Sequence, residues 1–264
     1  MIATVDSLPL HLFPRPYHDV MARSMIEKPR ADTVFYLDEQ SQIPAVYHPD
    51  LGFSYHNPEQ KDMEHWARWI FKKRIPLIAG ELHSHYNLLA AMANILPEDC
   101  ETQVLCRYEF QDFCIMTGAV ESPPDNMRLQ KATSAETDKL FTFYERSETM
   151  KAKSRESLRF TIENNQMFYL KKTGKPVSAA LTHCENTLAG LIGGVYTPKK
   201  MRGKGYAKYC MQALMQSLRQ EQKTPCLFYE KNNMAAKKLY QNLGFQPHGE
   251  WVVIEMTYEE PAAG

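Results

Sequence analysis

No charge of either sign prevails in this sequence: Lys and Arg together number 31, as do Asp and Glu, so the formal net charge is zero. A balanced chain carries no electrostatic footprint for nucleic acid or for an anionic membrane surface, and neither is expected as a partner. Any anionic ligand has to be caught by local geometry instead. Long apolar runs are missing too, and none approaches the roughly 20 residues of a membrane span. Met1–Pro14 has no basic head followed by an apolar core, so no signal peptide is expected. Cysteine is sparse, and Cys100, Cys106, Cys114, Cys184, Cys210 and Cys226 include no pair at metal-ligand spacing. Cys210 sits among Ala207, Met211 and Leu214, the setting of a buried free thiol. A reducing, cytoplasmic setting without bound metal follows as the expectation.

Hydrophobic residues make up 44% of the 264 and charged residues 23%, enough apolar mass for two domains rather than one. Ser122-Pro123-Pro124-Asp125-Asn126 is the best linker, because paired prolines and turn formers disfavour helix and sheet alike. Residues 1–121 and 127–264 are thus the two expected domains. In the first, strands are expected at Thr33–Leu37, Pro76–Ala79 and Thr102–Phe110, with helices over Asn57–Lys73 and Leu82–Ile95. In the second, helices are expected at Glu136–Arg146, Arg155–Asn164, Gly205–Gln222 and Asn233–Leu243. Strands there are expected at Met167–Lys171, Val177–Cys184, Leu188–Val195, Pro225–Tyr229 and Trp251–Met256. Alternating strands and helices define an α/β (α+β) class.

The strongest chemical signal runs from Gly193 to Ala207 (GGVYTPKKMRGKGYA). A buried strand enters a turn holding Gly203 and Gly205, and an amphipathic helix with Ala207, Cys210, Met211, Leu214 and Leu218 on one face follows at once. The first N–H groups of a helix have no partner within it and carry partial positive charge. Gly203 and Gly205 remove the side chains that would hold a phosphate away, while Arg202 and Lys204 add cationic donors at the rim. The spacing matches neither a P-loop nor a dinucleotide-binding loop.

Arg202-x-x-Gly205-x-Ala207, after a strand ending Val195-Tyr196-Thr197-Pro198, resembles the acyl-CoA signature of the GNAT superfamily of N-acetyltransferases. Asn233-x-x-Ala236-x-x-Leu239-Tyr240-x-x-x-Gly244-Phe245 resembles that family's second motif. The likeness covers about Met127–Met256 and is closest in kind to bacterial two-domain members, whose N-terminal half is a degenerate copy of the same fold. It implies two tandem domains, each a mixed, mostly antiparallel central sheet flanked by helices, with acetyl-CoA as cosubstrate.

By that resemblance, backbone groups of Val195, Tyr196 and Thr197 would pair with the pantetheine arm. Amides of Arg202, Gly203, Lys204, Gly205, Tyr206 and Ala207 would hold the pyrophosphate. Asn233 would cap the next helix and reach the cofactor, and Tyr240 would serve as general acid beside the thiol sulfur. A phenol helps a thiolate leave by donating a proton or hydrogen bond as charge develops. Glu185, His183 and Glu230 are the candidates for general base. Glu230 stands where many family members carry Asn or Arg, and a solvated carboxylate is an equal reading of it.

The implied reaction is direct transfer of an acetyl group to a primary amine of a small molecule or peptide. A non-catalytic acyl-CoA-binding regulator is the alternative. The first half lacks any Arg-x-x-Gly-x-Ala turn and is expected to bind no CoA, which leaves it to wall the acceptor cleft or form a homodimer contact. Its Glu81, His83 and His85 do not make a metal set, since residues two apart do not share a helix face.

Overall fold

A computed structural model describes residues 1–95, 103–124, 127–147 and 154–259. By contact the chain divides into two compact units. One holds residues 1–113 with 249–264, and the other holds residues 114–248. The division therefore falls ahead of the Ser122–Asn126 segment and returns the end of the chain to the first unit. Of that segment, Asp125 and Asn126 lie outside the described residues.

The first unit contains β1 (Ile2–Val5), α1 (Val20–Glu27), β2 (Val34–Asp38), β3 (Pro44–His48), β4 (Gly52–Tyr55), α2 (Met63–Lys72), β5 (Leu77–Glu81) and α3 (Leu82–Ile95). β6 (Gln103–Met116) begins in it and ends in the second unit. The second unit continues with β7 (Leu129–Lys131), α4 (Thr137–Tyr144), α5 (Arg155–Asn164), β8 (Met167–Lys172), β9 (Lys175–Glu185) and β10 (Ala189–Tyr196). α6 (Tyr206–Gln220), β11 (Thr224–Glu230) and α7 (Met234–Asn242) complete it, and β12 (Phe245–Glu259) starts there and ends in the first unit.

One pairing plan serves both units. In the first, strands lie in the order β1-β2-β3-β4-β5-β12, antiparallel except for the β4–β5 junction. In the second, the order is β11-β10-β9-β8-β7, antiparallel except for β10–β11. Each parallel pair needs a crossover, which α2 and α6 supply. This is the mixed, mostly antiparallel sheet flanked by helices that the motifs implied.

Burial follows the sequence periodicity. On α6, Cys210, Met211, Leu214 and Leu218 are fully buried, packed with Val177, Ala180, Ile192 and Leu227 of the sheet. Each side chain of that size contributes about 1.5–3 kcal/mol by leaving water. The opposite face carries Leu140, Phe143, Tyr144 and Leu158 against Tyr169, Ala179, Leu181 and Tyr196. In the first unit, Trp66, Ile70 and Phe71 of α2 pack on Phe53, Ile78, Val252 and Ile254.

Two expectations need correction. The helix over Asn57–Lys73 starts only at Met63. Asn57 is buried and closes a local ring with Lys61, donating to its carbonyl at 2.8 Å and accepting from its N–H at 3.1 Å, which holds the segment out of helix. The last strand runs over 15 residues from Phe245 rather than the six at 251–256. Short elements α1, β3, β4 and β7 have no periodic run long enough to mark them in the sequence.

Candidate functional site

β10 and β11 pair only from Ala189↔Thr224 to Ile192↔Leu227, although β10 continues to Tyr196 and β11 to Glu230. Past Ile192 the two parallel strands part. The cause is local: the register against β9 shifts twice, between Leu191 and Ile192 and again between Gly193 and Tyr196, and Gly194 has φ +55°. Glycine is required at both bulge positions. A Cβ on Gly193 would lie 2.1 Å from the His183 ring, and one on Gly194 would lie 2.7 Å from Leu181 Cγ.

Below the parted strands opens a groove of about 980 Å³. Its floor is Val195–Thr197 at the end of β10, its far side the Pro198–Gly205 turn and the start of α6, and its other wall Asn233, Ala236, Leu239 and Tyr240 of α7. Gly203 and Gly205 adopt φ +77° and +75°, the left-handed region that favours glycine. Gly205, the N-cap of the 15-residue helix α6, makes no side-chain cap, and Gly203, Gly205, Tyr206 and Ala207 at the helix start line the groove. Arg202 Nε donates to the Thr197 carbonyl at 3.0 Å and pins the turn to the strand.

Among the described residues, seven cationic side chains line the groove, namely Arg146, Lys172, Lys175, Lys199, Lys200, Arg202 and Lys208, and no carboxylate does. On a chain of zero net charge this is a local concentration of positive potential, chemically suited to a polyanion with an elongated apolar arm. Lys172 Nζ stands 4.7 Å over the Tyr206 ring, which fixes the β8–β9 hairpin beside the helix start.

Tyr240 reaches the same groove from α7. It is 9% exposed and packs on Tyr229 and Phe245, with ring centroids at 5.5 and 6.0 Å. Burial pushes its pKa up to about 12, so at neutral pH the phenol is a proton donor. Asn233 lines the groove and its side chain accepts from the Ala236 N–H at 3.1 Å, capping α7. Gly244, at φ +86°, closes that helix in the left-handed conformation.

The sequence-derived residues thus fall into two groups. Val195, Tyr196, Thr197, Arg202, Gly203, Gly205, Tyr206, Ala207, Asn233 and Tyr240 meet at the groove. Lys204 belongs to the turn, is exposed and is not among the residues that line the groove. Glu185 and Glu230 are not brought there. Glu185 is 1% exposed, accepts from Thr182 Oγ1 at 2.5 Å and pairs with Lys223 Nζ at 2.7 Å. Both its oxygens are committed within the protein. Glu230 is an exposed residue at the end of β11. His183 is half-buried against Gly193 at the bulge. Cys210 is fully buried, and burial pushes its thiol up to about 12, which removes it as a nucleophile.

Arg146, Ser147, Lys172, Thr173 and Lys175 were not singled out from the sequence as groove residues. A Thr-Gly-Lys turn between two strands is legible, but its placement against α6 depends on sheet order. Among the described residues, no group of three or more His, Cys, Asp or Glu side chains is arranged to hold a metal, and no helix is long and apolar enough to cross a membrane.

In the first unit, the corresponding end of the β4–β5 pair is filled by the chain itself. Arg15 donates to Glu81 Oε2 at 3.1 Å, to Asp19 Oδ1 at 3.1 Å and to Ser84 Oγ at 3.0 Å. Burial opposes ionisation of Asp19, yet its hydrogen bond with His56 and the charge of Arg15 hold its pKa below the usual value. Around this network only about 10 Å³ remains open. His85 is 1% exposed and bonds through Nδ1 to the Glu81 carbonyl at 2.8 Å. Its Nε2 has no partner, and burial depresses its pKa to about 4, so the ring is neutral.

Residues 171–252 match the FR47-like protein family model. The structure is similar to a GCN5-related N-acetyltransferase from Sphaerobacter thermophilus, with a TM-score of 0.59 at 15% identity, covering 98% of this chain and 96% of that one. This chain carries the GNAT fold. A GNAT-family acetyltransferase from Colwellia psychrerythraea gives a TM-score of 0.57 at 14% identity over 97% and 99% of the two chains. A Drosophila protein gives 0.64 at 12% identity over 94% and 85%. No curated protein matches the sequence. The GNAT-fold likeness extends over the whole length, and the FR47-like segment spans the groove from Lys172 to Tyr240.

Proposed function

We propose that the chain is an N-acyltransferase that passes an acetyl group from acetyl-CoA to a primary amine by direct transfer. One observation carries the reading. A groove on a GNAT fold joins a helix start with no side-chain cap, seven cations with no carboxylate among the described lining residues, and a buried phenol whose pKa is raised to about 12.

The amides of Gly203–Ala207 would hold the pyrophosphate, with Arg202, Lys199 and Lys200 supplying charge, and Val195–Thr197 would meet the pantetheine amides as an added strand would. Acetyl-CoA brings an already activated thioester. The amine attacks the acetyl carbon, the acyl–sulfur bond breaks, and Tyr240 donates its phenolic proton or a hydrogen bond to the leaving thiolate. Positioning of two reactants supplies much of the rate, so no covalent enzyme intermediate is needed. With Glu185 committed to Lys223 and Thr182, and neither Glu230 nor His183 lining the groove, removal of the amine proton falls to water, with Glu230 or His183 acting through it. The acceptor is a small molecule or peptide amine, and the first unit, self-filled by Arg15, has a supporting role in this scheme.

Tyr240→Phe in the full chain tests the assignment. Thiol release from acetyl-CoA in the presence of an amine panel is expected to fall about 100-fold, within the range for loss of a general acid, while acetyl-CoA affinity stays within about twofold. Undiminished turnover would remove Tyr240 from the mechanism. Binding without any turnover in the parent chain would leave a non-catalytic acyl-CoA sensor.

A further inference from the structure

Two tyrosines connect the end of α4 and the bulge of β10 crosswise. Tyr144 Oη donates to the Gly194 carbonyl at 2.6 Å, and Tyr196 Oη donates to the Arg146 carbonyl at 2.9 Å. Their rings lie 6.1 Å apart, 33° from parallel, and each residue is under one-tenth exposed. Tyr144 is the deeper, at 2% exposure, and burial drives its phenol pKa far up, so it acts only as a donor.

Gly194 is the residue at which β10 leaves regular pairing, with φ +55° and Leu181 packed where a Cβ would stand. A peptide unit is planar and trans, so the Gly194 carbonyl and the Val195 N–H point in opposite directions. A bond that fixes the carbonyl on the α4 side therefore aims the Val195 N–H away from α4, and Val195 itself lines the groove. Without the phenol, rotation of this peptide about the Gly194 ψ is freer, because glycine restricts that dihedral little.

We infer that Tyr144 is a positioning residue for acyl transfer, holding the Gly194–Val195 peptide so that its N–H meets the oxygen that gains charge as the amine attacks. The kinetic part of this inference rests on the acyltransfer reading, and the conformational part does not. A donor fixed in advance stabilises that oxygen without reorganisation during the reaction, and loss of one such donor costs about 10²–10³ in kcat where it has been measured. Tyr144→Phe leaves the Val195 N–H in place and frees only its orientation, so a smaller loss is expected.

Tyr144→Phe and Tyr169→Phe are to be compared in the full chain. Tyr169 is equally buried in the same core and its phenol donates to Gln130 Oε1 at 2.6 Å, so its loss reproduces the structural cost without touching Gly194. Tyr144→Phe is expected to lower kcat about 10- to 100-fold with the acetyl-CoA KM within twofold, and to speed amide exchange at residues 194–196 at least tenfold. Tyr169→Phe is expected to lower Tm by a similar amount with kcat and that exchange unchanged. Unchanged exchange, an unchanged kcat, or equal kcat losses in the two variants would each overturn the inference. A parent chain that neither binds nor cleaves acetyl-CoA would end the acyltransfer reading, and the exchange comparison would still decide whether Tyr144 orients the bulge.

Discussion

Gly203 and Gly205 differ in a way that separates packing from ligand binding. A Cβ on Gly203 would meet nothing within 4 Å, and one on Gly205 would touch only the Tyr209 ring at 3.4 Å. Neither position is closed by sterics, so the glycines answer to their positive φ and to whatever approaches the turn. Alanine at either site should cost only about 1–2 kcal/mol of backbone strain, leaving the chain folded at room temperature. Acetyl-CoA affinity should nevertheless fall at least tenfold at Gly205, the N-cap of α6, which lines the groove. Calorimetric titration of both variants checks this, and an unchanged Kd for Gly205→Ala would show that the turn is only a joint. These residues were legible in the sequence because the signal is local: strand, two glycines, then a helical apolar stripe. The fate of Glu185 was not, because Lys223, which pairs with it, is 38 residues away and only the sheet brings them together.

Among elements, the β8–β9 hairpin is the part of the groove that no motif announces. Lys172 and Lys175 flank its Thr173-Gly174 turn, where both φ values are positive, and the sheet places them opposite α6. The expected strand limits there differ from those observed by one or two residues, yet the role of the turn depends on packing that periodicity does not encode. The helix boundary at Met63 makes the same point, since Asn57 diverts the chain through side-chain bonds to Lys61. Lys172→Glu and Lys175→Glu should each weaken acetyl-CoA binding several-fold at low ionic strength. At 1 M salt, where screening acts within about 3 Å, the loss should shrink to about twofold. Salt-independent losses in the titrations would indicate that the hairpin acts through shape.

At the scale of the whole molecule, β12 makes the two units interdependent in sequence. Its second half supplies Trp251, Val252, Ile254 and Met256 to the first unit, all 5% exposed or less. A fragment ending at residue 121 therefore lacks part of its own core and sheet. Truncation after His248 should unfold the first unit, read as loss of its amide protection in hydrogen exchange, because several large buried side chains leave at about 2–5 kcal/mol apiece. Persisting protection over α2 and β5 would show that the first unit folds on residues 1–113 alone. The broad plan, an α/β chain with a two-glycine turn opening a helix in its last third, was readable from composition and motifs. The return of the C-terminal strand was not, because a strand's apolar alternation does not name its neighbour.

Pyrophosphate docking at the amides that open α6 is tested directly by amide NMR of the full chain. Titration with acetyl-CoA should shift the Gly203, Lys204, Gly205, Tyr206 and Ala207 resonances together, saturating with one Kd, while S-acetylpantetheine, which lacks the phosphates, leaves them in place. Saturable acetyl-CoA binding that moves other amides and not these five would contradict the account.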